Sequence, residues 1–193
     1  MANDCAYILK IVGKDKEAVM QAALALQYKD FKDGYHLCRI FEAAITDTEE
    51  KDGFFTVEVA GDCAWSVNAC MFDENYASWR GAKLGEEEPK HFKDWNGKEC
   101  FTKEFVTMPI LCKRLGVGVE IWSKEPGCEF QEHYKIDHNG EINYQESIRW
   151  HEGWDVDDDG NYIEPNPDKD EDGFDDWGCY SDNREIYGDE DAE

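Results

Sequence analysis

Within the first sixty residues the spacing of apolar side chains switches from a strand-like period to a helical one and back, which limits the folds open to the chain. CAYILKIV (5–12) is rich in strand formers and is closed by Gly13. Behind Asp15, a residue suited to capping, Val19, Ala22, Ala23 and Leu26 recur at three- and four-residue intervals, predicting a helix over about 16–29. In HLCRIFEAAI (36–45), Leu37, Arg39, Phe41, Ala43 and Ile45 share one strand face; in FFTVEVA (54–60), Phe55, Val57 and Val59 do so. Lys51-Asp52-Gly53 supplies the positive φ of a tight turn between them, so the pair reads as a hairpin.

Residues 68–101 lose periodicity and collect Gly, Glu, Lys and the aromatics Tyr76, Trp79 and Trp95, so 72–101 read as an insertion with one short helix. Helical spacing returns in Phe105, Met108, Leu111, Cys112 and Leu115, where Pro109 either starts the helix or kinks it. GVEIWS (118–123) is a further strand. CEFQEHYKID (128–137) alternates Phe130, Tyr134 and Ile136 against Gln131, His133 and Lys135, and Asn139-Gly140 predicts a two-residue turn into EINYQ. The order β-α-β-β-α-β predicts an α+β, ferredoxin-like split βαβ domain: an antiparallel sheet with two helices on one face, extended by a C-terminal hairpin and an acidic tail. The domain is expected over 1–150 and the acidic, aromatic-containing extension over 151–193.

The opening MANDCAYILKIVG, the segment AGDCAWSVNACM (60–71) and VEIWSKEPGCEFQEHYKIDHNGEI (119–142) resemble a family of small phage and plasmid proteins, the YubB-like group. The resemblance covers roughly residues 5–150. It implies a ferredoxin-like fold and a mobile-element origin, and it carries over no catalytic residue.

Hydrophobic residues make up 41% of the 193-residue chain, enough for a folded core despite a net charge of -25. The charge is uneven: residues 151–193 hold 18 Asp and Glu against Lys169 and Arg184. Such a field repels phosphate backbones and favours basic surfaces. The expected partner is therefore a basic, nucleic-acid-binding host protein, such as a CRISPR effector or restriction component, and direct nucleic-acid binding is disfavoured. MANDCAYILK lacks a basic segment followed by an apolar one, and no apolar run is long enough to cross a bilayer. No membrane association is expected, and the bacterial cytoplasm is the expected location. Eight cysteines at irregular spacing include no Cys-x-x-Cys pair, so they read as reduced and mostly packing residues.

The acidic end offers two chemistries. Asp155-x-Asp157-x-Asp159-Gly160 and Asp168-x-Asp170-x-Asp172-Gly173 repeat the first half of a calcium loop, and Asp176 stands at the ninth position of the second copy. A calcium-responsive module would use Asp168, Asp170, Asp172 and Asp176. Against it, Asn166 and Cys179 occupy the twelfth positions, where a bidentate Glu belongs, and Pro165 and Pro167 oppose a following helix. The preferred reading is a nucleic-acid mimic. Asp155, Asp157, Asp158, Asp159, Asp168, Asp170, Asp172, Asp175 and Asp176 supply phosphate-like charge, while Trp154 and Trp177 serve as aromatic anchors on the partner.

Catalytic signals are weak, and neither an enzyme nor a cofactor is expected. His36, His91, His133, His138 and His151 lie in no metal-ligand spacing, and no phosphate loop or nucleophile motif occurs. Glu129, Glu132 and His133 suggest an acid/base set, although a solvated strand face explains them as well. Cys63, Trp65 and Cys70 read as packing residues, because no basic neighbour is evident to activate a thiol. Gly53-Phe54-Phe55 only faintly matches the aromatic strand motif of RNA-binding domains.

Overall fold

A computed structural model describes residues 4–27, 35–37, 39–73, 91–93, 99–101, 104–128, 130–149 and 178–189. In chain order they form β1 (Asp4–Gly13), α1 (Lys16–Leu26), β2 (Tyr35–His36), β3 (Ile40–Lys51), β4 (Phe54–Ala64), a π-helical turn at Asn68–Phe72, β5 (His91–Lys93), β6 (Glu99–Phe101), β7 (Glu104–Phe105), α2 (Met108–Leu115), β8 (Val117–Glu125), β9 (Phe130–Ile136), β10 (Ile142–Arg149) and α3 (Asn183–Tyr187). The fold is α+β. Its frame is a six-stranded antiparallel sheet in the order β10-β9-β8-β1-β4-β3.

Alternation sends Cys5, Tyr7, Leu9 and Ile11 of β1 to one face of the sheet, beside Val57, Val59 and Cys63 of β4 and Val119 and Ile121 of β8. The stripe Val19, Ala22, Ala23 and Leu26 of α1 covers that face together with Met108, Leu111 and Cys112 of α2. Asp15 caps α1 by accepting the Glu17 amide at 2.9 Å. Pro109 sits in the first turn of α2, where its missing N–H costs nothing, so the helix starts there rather than kinking. Phe105 lies outside that helix, in β7, which pairs in parallel with β2.

Several local expectations are corrected. The run 36–45 is not one strand: Arg39 adopts φ 55°, which separates β2 from β3. A bulge between Ile40 and Glu42 then turns Phe41 outward, 42% exposed, while Ala43 and Ile45 pack on the core. Within the insertion the described residues include a short β5–β6 ladder, and residues 74–90 and 94–98, where the expected short helix would fall, lie outside the described residues. Asp52 and Gly53 both take positive φ, as a mirror-image two-residue turn requires. At the second hairpin only Gly140 does so, and its amide closes on Asp137 O at 3.0 Å. That turn is a wider one that ends in a left-handed glycine.

Residues 178–189 cross the opposite face of the sheet as a strap. Ile186 on α3 is buried with Val12 of β1 and Phe54 of β4, and Tyr187 packs beside them. Gly118 of β8 makes room for this: a Cβ there would lie 2.2 Å from the Ile186 carbonyl oxygen. Lys14 pairs with Asp189 and Lys135 with Glu185 at the margins. Arg149, the last residue of β10, and Gly178, the first of the strap, flank residues 150–177, which lie outside the described residues.

Candidate functional site

Outside the strap, the second face of the sheet is acidic along β3 and β4. Register places Glu42 directly opposite Asp62, Asp47 opposite Glu58, and Glu49 opposite Thr56. Asp62, Glu58 and Thr56 alternate with the core residues Cys63, Val59 and Val57, so these rungs project away from the core. Glu42, Asp47, Glu49 and Glu58 are exposed and Asp62 is half-buried. Burial, and then the charges of Asp4 and Glu42, push the Asp62 carboxyl above its usual range. Lys10 stands opposite Glu58, but its ammonium reaches the Ser181 carbonyl on the strap at 3.4 Å.

Like charges directly opposite on a sheet oppose pairing, so two such rungs are a cost to the fold. Opposed side chains stand about 4.5–5.5 Å apart at Cβ. Asp62 and Glu58 are four residues apart on β4, about 13 Å, with the Ala44–Ala60 rung between them. The array is thus two pairs of carboxylates on one face of the sheet, with Glu49 beyond the second pair.

The same face carries a polar cluster beneath the strap. Glu120 of β8 is buried and accepts the Ser181 hydroxyl at 2.8 Å and its amide at 3.1 Å, with His133 Nε2 2.9 Å away. Burial raises the Glu120 carboxyl, but the bonds from His133 and Ser181 outweigh it and hold the group below its usual value. His133 stacks on Trp122 at 3.9 Å between ring centroids. Here Glu120 lies between the serine and the histidine, so the histidine is not placed to deprotonate the serine. This is a latch for the strap.

Glu132 and His133 do not form one acid/base set, because as neighbours on β9 they face opposite sides of the sheet. Nor are they solvated: Glu132 is 4% exposed and His133 is 9% exposed. Glu132 Oε2 accepts the Val67 amide at 2.9 Å, the Asn68 amide at 3.3 Å and the Ser123 hydroxyl at 3.0 Å, and Oε1 accepts the Tyr134 hydroxyl at 3.3 Å. Burial pushes its pKa up in spite of these donors. Its oxygens brace β9 against the π-turn, a role that alternation alone concealed.

Cys63 and Cys70 are buried, as packing requires. The basic neighbour not evident in the sequence is present, however, because the Arg39 guanidinium lies 4.0 Å from the Trp65 ring centroid. A hydrogen bond from Cys63, with smaller help from the Ala64 backbone and Arg39, holds the Cys70 thiol below its ordinary value against burial. Phe54 is covered by the strap and Phe55 faces the core, so neither supplies an exposed stacking platform. His138 stacks on Tyr187 and bonds its carbonyl, which makes it part of the strap's seat.

Asp155, Asp157, Asp158, Asp159, Asp168, Asp170, Asp172, Asp175, Asp176, Trp154 and Trp177 lie outside the described residues, as do Glu129 and His151. The twelfth position of the second Asp-rich copy is described: the Cys179 thiol points at the carbonyls of Ile8 and Glu120. Among the described residues no group of three or more His, Cys, Asp or Glu is arranged to hold a metal ion, and no helix is long and apolar enough to cross a membrane. No family model, curated protein or solved structure matches the chain.

Proposed function

We propose that this is a non-enzymatic phage or mobile-element protein whose acidic sheet face binds and blocks a basic, nucleic-acid-handling host protein, in the manner of an anti-CRISPR or anti-restriction inhibitor. The observation that carries the reading is the pair of like-charge rungs, Glu42 with Asp62 and Asp47 with Glu58, held on a rigid sheet. A duplex presents a charge about every 1.7 Å of its axis, and a phosphate-binding cleft selects for such density. The net charge of -25 adds long-range attraction to a basic surface and repulsion from nucleic acid itself. The Asp-rich segment 155–176 adds to the negative charge of the chain.

The run β8-β1-β4-β3, with α1 and α2 packed on one face, supports a ferredoxin-like frame and agrees with the YubB-like resemblance. The hydrogen-bond capacity of Glu132 and Glu120 is taken up by protein groups, which supports a binding role over a catalytic one.

The test is a nuclease-treated pull-down from bacterial host lysate with the full chain, run with and without duplex DNA as competitor. A triple substitution, Glu42→Gln, Asp47→Asn and Asp62→Asn, is compared in parallel. Capture of a nucleic-acid enzyme that DNA displaces and that the triple variant loses is the expected result. Capture of nothing, or capture indifferent to both, overturns the reading.

A further inference from the structure

Among the described residues β3 closes one side of the sheet, and the hydrogen-bonding groups on its outer edge follow from the turn that ends it. In a two-residue mirror-image turn the flanking pair, here Lys51 and Phe54, exchange both backbone bonds. Bonded and non-bonded pairs alternate along an antiparallel ladder. Glu49 and Thr56 are therefore a bonded pair, while Thr48 and Glu50 turn their N–H and C=O groups outward, away from β4. The Thr48 amide agrees with this, because it donates to the side chain of its own neighbour, Asp47 Oδ1, at 2.8 Å.

Open edges invite strand addition, and proteins guard them with bulges, prolines and charges, lysine above all. β3 has bulges near Phe41 and Thr46 but pairs without interruption from Asp47 to Lys51. Its guards are almost all of one sign: Glu42, Asp47, Glu49 and Glu50 against Lys51. That choice repels a second copy of the same edge and attracts a strand bearing Lys or Arg, since opposite charges across a pair stabilise it.

We infer that Asp47–Lys51 is a docking edge, which takes an extended basic segment of the partner as a seventh strand. The inference rests on the proposed binding of a basic protein and adds how that protein is held: backbone bonds to Glu50 and to Thr48, whose amide exchanges the Asp47 carboxylate for the incoming strand, give registry, and the flanking carboxylates select charge.

The probe is a peptide of alternating Lys and Thr, compared with the same peptide N-methylated at alternate residues, which keeps the charge and removes edge hydrogen bonding. Binding to the full chain is followed by amide NMR. The unmodified peptide is expected to shift and protect the amides of Thr48 and Glu50, and to bind at least about tenfold more tightly than the methylated one. Equal binding of both, with shifts spread over the acidic face, overturns strand addition and leaves the acidic-surface reading standing. Binding by neither also overturns strand addition. In that case the response of the pull-down to the triple variant decides the acidic-surface reading separately.

Discussion

Glu42 on β3 and Asp62 on β4 stand directly opposite each other, two carboxylates on a rung where opposite charges would strengthen the sheet. Asp62 has its carboxyl raised by burial and then by Asp4 and Glu42. An acid with a raised folded pKa contributes stability fully below its unfolded value, about 3.9, and loses it as the pH rises through the folded value. Asp62→Asn should therefore stabilise the protein at pH 7, by about 0.2–1 kcal/mol, and flatten the decline in stability above pH ~3.9. Urea melts from pH 4 to 7 check this, and a less stable variant at pH 7 contradicts it. The same substitution should weaken capture of the basic partner, so stability and binding move in opposite directions.

Glu132 gives a contrasting case, because its carboxylate is needed as an acceptor. Glu132→Leu would leave the Val67 and Asn68 amides and the Ser123 hydroxyl without their acceptor, at about 1–3 kcal/mol for each buried orphan. A loss of at least about 2 kcal/mol in denaturant melts is expected. Glu132→Gln keeps one acceptor oxygen and removes the raised titration, so it should retain most of the stability and lose the decline above pH ~4.3. Equal damage from both variants would mean that the charge, and not the acceptor, holds the π-turn.

Glu120 titrates with the opposite sign. Its folded pKa is lowered, so its contribution is present above the unfolded value and is lost as the pH falls through the folded one. The strap should therefore loosen in acid, below pH ~4.3. Hydrogen exchange at the Ser181 and Ile186 amides should accelerate there before the β1–β8 ladder opens. In Glu120→Gln this pH dependence should vanish, and a strap that loosens identically in both proteins would point to another group.

Much of the frame was legible in the sequence because burial on one face writes a period into it. The stripe of α1, its Asp15 cap and the Asp52-Gly53 turn all stand where residue chemistry alone put them. Two kinds of feature were hidden. Bulges in β3 shift the alternation by one residue, so Phe41 was assigned to the wrong face. The polar residues of β9 read as solvated because a strand buried on both faces by polar partners looks the same as an exposed one. The partners, Val67 and Asn68 for Glu132 and Ser181 for Glu120, lie about sixty residues away and leave no local signal. The strap was hidden for the opposite reason: its acidic surroundings masked Ile186 as the anchor of a docked segment.

Gly118 tests that anchor without touching the core. A Cβ at this position would meet the Ile186 carbonyl oxygen at 2.2 Å and the Tyr187 Cα at 2.9 Å, backbone atoms that no rotamer change can move aside. Its neighbours Val117 and Val119 point to the other face, toward α1 and α2, so Gly118→Ala should leave the main core intact. The strap is then expected to lift as a unit, with loss of exchange protection over 178–189, faster tryptic cleavage at Arg184 and a preserved β1–β8 ladder. Retained protection of Ile186 would show that the strand yields instead. If the docked strap 178–189 contributes to partner binding, capture falls in Gly118→Ala with every carboxylate still present; unchanged capture assigns the binding to the β3–β4 face.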